Sequence, residues 1–149
     1  MTAWRRLQTG PQDLRSGALT MIASMDDLLG FEWFAIEQAL GYGRPPTLGI
    51  VLAAQVDAER LGDRLTRRGF ASTVLHGVTI WHRNEDGRVN LAERTPADPF
   101  VGPLGMAARI AVLPDHLVGT RFWSMTREAA SGTALTLERV PETLERVPE

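Results

Sequence analysis

The sequence predicts an α+β domain, a largely antiparallel sheet of four to six strands with helices packed on one face. Two stretches carry that prediction. Between Leu48 and Arg83 the chain runs apolar strand, capped amphipathic helix, glycine stop and strand pair, which is a β-α-β-β core. Further on, Arg109 to Leu113 and Leu117 to Phe122 flank Pro114-Asp115 and read as a second hairpin.

Element by element, the first helix is signalled by Thr9 as cap, Pro11 in the first turn and Gln12 three residues after the cap. Leu14, Ala18, Met21, Ile22 and Met25 then form one apolar stripe. Asp26 and Asp27 are expected to end this helix and cap a second one, Phe31 to Leu40, in which Trp33, Ile36 and Leu40 keep helical spacing. Gly41 or Gly43 would stop it, and Arg44-Pro45-Pro46 would follow as an extended connector.

Gly49 to Ala54 is a short apolar run suited to a buried strand. Asp57 is placed to cap a helix that turns Ala58, Leu61 and Leu65 to one side, leaves Arg60, Arg64, Arg67 and Arg68 wet, and closes at Gly69. Phe70 to Leu75 and Val78 to Arg83 read as two strands hinged at His76-Gly77, with Val78, Ile80 and His82 on one side and Thr79, Trp81 and Arg83 on the other. Asn84-Glu85-Asp86-Gly87 is a turn, read as a solvated hairpin tip that returns through a short strand at Val89 to Leu91. Ala92 to Met106 has three prolines and no period, and a helical turn or two is expected from Ser124 to Ala130.

Composition narrows the function classes. At 149 residues and 44% apolar, the chain fits a single folded domain, expected over 1–132, with a duplicated and poorly ordered tail over 133–149 in which Leu-Glu-Arg-Val-Pro-Glu occurs twice. A net charge of −2 gives no electrostatic reason to expect nucleic acid or an anionic membrane as partner. All 16 basic residues are arginine, scattered along the chain as a GC-rich coding sequence would scatter them. The absence of cysteine removes disulfides, thiol nucleophiles and thiolate metal sites. No stretch approaches the roughly 18 apolar residues of a membrane span, and no export signal follows Met1, so the chain as written is expected to be cytoplasmic.

No motif for catalysis, metal or nucleotide stands out. His76 and His82 on one continuous strand would lie about 20 Å apart, too far for a shared metal. A bend at Gly77 would bring them closer and let His116 join, but satisfied surface or half-buried histidines are the expectation, and neither metal nor cofactor is expected. No serine sits in a G-x-S-x-G turn, and Gly41-Tyr42-Gly43 precedes a diproline rather than a helix. Arg64, Arg67 and Arg68 answer the negative end of their own helix. The aromatic residues read mainly as core, with Phe100 outside any periodic element. The loop Glu93 to Gly105 therefore holds the candidate site: Arg94, Asp98 and Phe100, with His82 or His116 as ionisable neighbour. The competing reading makes Phe100 a plug for the sheet.

Leu29-Gly30-Phe31-Glu32-Trp33-Phe34-Ala35-Ile36, the Gly43-Arg44-Pro45-Pro46 step, the Asp57 helix ending at Gly69-Phe70, and Pro96-Ala97-Asp98-Pro99-Phe100 with Leu104-Gly105 resemble a group of bacterial proteins of unassigned activity. The resemblance spans roughly Gly10 to Glu128. Those proteins are typically longer and secreted or lipid-anchored, which implies that this chain is one piece of a larger domain and extracytoplasmic in its full-length form. It implies no catalytic residue. The expectation is a non-enzymatic binding or protein-interaction module for a small ligand or a protein, and the alternative is a small hydrolase using Asp98 with a neighbouring histidine.

Overall fold

The computed structural model describes residues 18–44 and 46–132. The helix start proposed at Thr9 and the 133–149 tail lie outside the described residues. In chain order the elements are α1 (Ala18–Leu29), β1 (Ile36–Arg44), β2 (Thr47–Ala54), α2 (Ala58–Arg67), β3 (Ala71–Leu75), β4 (Val78–Arg83), β5 (Ala108–Val112), β6 (His116–Thr120) and α3 (Trp123–Ala130). The sheet has six strands in the order β1-β2-β6-β5-β4-β3, and every neighbouring pair is antiparallel. Three hairpins lie side by side, the last of them inserted between the other two, and α2 carries the chain from β2 to the far edge at β3.

Alternation along the strands divides the core into two layers. Ile50, Leu52 and Ala54 of β2, Ala108 and Ile110 of β5 and Leu117 of β6 face α1 and α2, where they meet Met25, Leu29, Leu61 and Leu65. On the other face Ile80, Ala111 and Val118 are covered by Ala129 and Ala130 of α3, the short helix that the sequence places after Ser124. The α+β class and the antiparallel sheet agree with expectation. The third helix adds a layer to the opposite face.

Helix α2 forms where its cap demands. The Asp57 carboxylate accepts from the amides of Glu59 and Arg60 at 3.0 and 3.1 Å, satisfying donors that a helix start leaves free. Leu61 and Leu65 are buried as expected, but Ala58 is exposed.

Between Gly30 and Pro46 the sequence reading fails. Helix α1 runs through Asp26 and Asp27 to Leu29, and the amide of Gly30 bonds back to the carbonyl of Asp26 at 2.9 Å. Asp26 does not cap a second helix. It pairs with Arg60 of α2 at 2.7 Å. After a 3₁₀ turn at Trp33–Ala35, the predicted helix is strand β1, hydrogen-bonded along its length to β2. The helical spacing of Trp33, Ile36 and Leu40 does not correspond to one buried face: Trp33 and Ile36 are buried and Leu40 is exposed. Beyond the register shift at Ile36/Gln38 the strand turns Ala39 to the α1–α2 side and Tyr42 to the α3 side. Two glycines in three residues, each costing about 1 kcal/mol in a helix interior, tilt the segment toward strand. The β1–β2 hairpin closes with Arg44 paired to Thr47, and Gly43 is required there: its φ is +90°, and a Cβ would lie 2.2 Å from the Thr47 carbonyl oxygen.

The link from β4 to β5 also differs from expectation. Asn84 to Gly87 is not a hairpin tip and Val89 to Leu91 is not a strand. A 3₁₀ turn occupies Leu91–Glu93, and single bridges join Val89 to Met106 and Thr95 to Gly102. Together with bonds such as Ala107 N to Arg88 O, 2.8 Å, they fold this long loop onto itself.

Candidate functional site

The loop proposed from sequence is built into the core. Asp98 is 0% exposed and Phe100 5%. One Asp98 oxygen accepts from the amides of Phe100 and Val101 at 2.7 and 3.3 Å, and the other pairs with the Arg68 guanidinium. Arg68, expected wet, is half-buried; it also donates to the Leu28 carbonyl at 2.9 Å and so joins the end of α1, the end of α2 and the loop. The Phe100 ring rests against β6 at Gly119, where a Cβ would come within 2.2 Å of it, between Ile50 and Ile110 of the adjoining strands. Space beside it amounts to about 10 Å³, room for one water. Arg94 is exposed and takes no part in these pairs. The expected pocket of Arg94, Asp98 and Phe100 is therefore not formed, and Phe100 is the plug of the competing reading.

Neither histidine joins Asp98. His116 pairs with its neighbour Asp115 at 2.5 Å, and His82 packs against Trp123 on the α3 side of the sheet. The carboxylate–histidine couple of a hydrolase is thus not assembled at Asp98. Among the described residues no group of three or more His, Asp or Glu side chains converges as a metal site.

Clefts lie elsewhere among the described residues. The larger, about 660 Å³, opens between the start of α2 and the tips of the β3–β4 and β5–β6 hairpins. Trp81, Val112, Leu113 and Val56 give it apolar walls, with Thr79, Glu59 and His76 around them. The sequence explains the position of Trp81: it lies on the α2 side of β4, and Gly62 lets the helix approach, since a Cβ there would sit 2.8 Å from the indole. His76 and Gly77 form the turn at the rim with φ of 51° and 80°, the left-handed pair of a tight hairpin.

The smaller cleft, about 290 Å³, lies on the opposite face and is lined by Thr73 and Leu75 of the edge strand, His82, Trp123 and Arg127. Against the Trp123 that lines it lies the buried Arg109, 1% exposed, whose guanidinium donates to the Asn84 carbonyl at 2.9 Å and pairs with Asp86 at 2.8 Å. Asp86 also accepts from the amide of Trp123 at 3.1 Å, placing a carboxylate at the positive end of α3 rather than in a solvated tip. Arg109 stacks under the Trp123 ring, 5.2 Å from its centroid, and the His82 ring lies 5.1 Å from the same indole. Burial, and then the Arg109 charge, hold the His82 imidazole below its ordinary pKa. Sequence reasoning named His82 but assigned it to the wrong surroundings, because Arg109 and Trp123 reach it only through strand register and the turn of α3.

Comparison with known protein families, curated proteins and solved structures finds no match to this chain.

Proposed function

We propose that this protein is a binding module that takes a small molecule with an apolar body and a cationic end in the cleft between α2 and the hairpin tips. The observation that carries this reading is the cleft's volume of about 660 Å³, with Trp81 in its wall, within the roughly 300–1,000 Å³ usual for small-ligand sites. Apolar walls supply most of the affinity of such a site, and a few polar groups set orientation. Here the exposed Glu59 carboxylate, in the first turn of α2, would face a cationic group, while Trp81 offers a flat ring. Rigidity supports the reading too: Trp81 stands on a paired strand, and α2 is capped and anchored through Leu61 and Leu65.

The test is protein-observed NMR with benzylamine and toluene as probes. Benzylamine should shift the Trp81 indole N–H and the backbone of Thr79 and Val112. Toluene should bind more weakly, Glu59→Gln should bring benzylamine down to the toluene level, and Thr79→Arg should block both. Shifts that leave Trp81 unmoved would reject the reading.

A further inference from the structure

We infer that the cleft between α3 and the β3 edge is a second binding site, for small carboxylates, with Arg127 and His82 as the groups that engage the anion and Leu75 and Trp123 as its apolar wall. The residues that line it come from three elements that the fold brings together: Thr73 and Leu75 from the edge strand β3, His82 from β4, Trp123 and Arg127 from α3. Arg127 is exposed and forms no salt bridge among the described residues, so its planar fork of donors is open to a carboxylate. Behind the cleft lies a second guanidinium, Arg109, and the one carboxylate paired with it, Asp86, is already shared with the amide of Trp123. Two arginines against one aspartate leave this corner of a net-acidic protein positive before His82 is counted.

Geometry fixes the rest of the selectivity. The indole of Trp123 has Arg109 against it, and a tilt of 58° between the indole and the His82 ring splays the two apart. A planar acid with a small apolar body is the shape that uses both wall and cations, and the Thr73 hydroxyl is a further donor on the same lining. The charge acting on His82 in the fold is Arg109 from β5, which opposes its protonation; Arg127 from α3 lines the same cleft, and Thr73 and Leu75 of β3 are neutral. An anion bound among them reverses that balance, so binding should draw a proton onto His82.

Benzoate, with benzamide as its neutral counterpart, tests the proposal on the full chain by histidine-selective NMR. Benzoate should shift the His82 imidazole signals with a Kd of about 1–10 mM, as befits so small a ligand. It should raise the His82 titration midpoint and bind more tightly as pH falls from 8 to 6, whereas benzamide should do none of this. Arg127→Gln, an exposed change that should leave the fold intact, is expected to weaken benzoate by about tenfold, and His82→Gln should abolish the pH dependence. Glu59→Gln, in the other cleft, should leave benzoate binding unchanged. Equal binding of benzamide, an unaltered Kd in Arg127→Gln, or no shift at His82 would each overturn the assignment.

Discussion

Arg68 and Arg109 are the two side chains on which the loops depend, and both use a planar guanidinium to join segments far apart in the chain. Arg68 reaches Leu28 and Asp98, and Arg109 reaches Asn84, Arg121 and Asp86. Removing one partner from a buried pair leaves the other charge without compensation, at a cost of about 3–5 kcal/mol. Asp98→Ala should therefore lose about 3 kcal/mol in a denaturant melt, the low end because Arg68 retains some solvent contact; a loss under about 1 kcal/mol would mean that the pair contributes little. His82 adds a pH dependence. Because its pKa is lowered in the fold, by burial first and Arg109 second, the unfolded chain binds the proton more readily. Its contribution is intact above the ordinary histidine range and declines as pH falls through that range. Stability should thus drop between about pH 7 and 5, and His82→Gln should flatten that part of the profile. Glu93, whose pKa is lowered chiefly by its bond from Asn84, acts in a separate window below the ordinary carboxylate value.

Among the elements, α2 and the plug at Phe100 decide how the sheet is covered. Leu65→Ala should cost about 2–5 kcal/mol as a large-to-small change in a closed core, and Arg67→Ala under about 1 kcal/mol as an exposed charge. Equilibrium unfolding in the reverse order would contradict the observed face of the helix. Phe100→Ala should cost about 3–5 kcal/mol, since the ring fills the hollow over Gly119; a loss below about 1 kcal/mol would show that the hollow is not closed by it. The elements legible in the sequence are those with one dominant local signal. Asp57 capping α2, the turn at His76-Gly77 and the Pro114-Asp115 turn each act within a few residues. β1 is illegible because Trp33, Ile36 and Leu40 happen to keep helical spacing, although Leu40 is exposed, and because the pairing with β2 decides its conformation. The role of Asp98 was hidden for a related reason. A carboxylate between two prolines reads as a surface group until Arg68, 30 residues away in the chain, is seen to meet it.

At the scale of the molecule, three hairpins make one sheet, two helices close one face and a third helix partly closes the other. That arrangement leaves a gap on each side near the β3–β4 hairpin, where α2 has not yet begun its apolar contact on one face and α3 stops short of the edge strand on the other. Neither cleft is visible along the chain, since each draws on residues from at least three elements. No described helix is long and apolar enough to cross a membrane. Ligand binding in the Trp81 cleft is tested most directly by a fragment screen by NMR on the labelled protein. Apolar amines should perturb the Trp81 indole, Thr79 and Val112 together, and Thr79→Arg should erase those shifts while leaving the melting temperature within a few degrees of the unmodified chain. Hits that gather over the Thr95–Gly102 loop, or shifts that persist in Thr79→Arg, would contradict it.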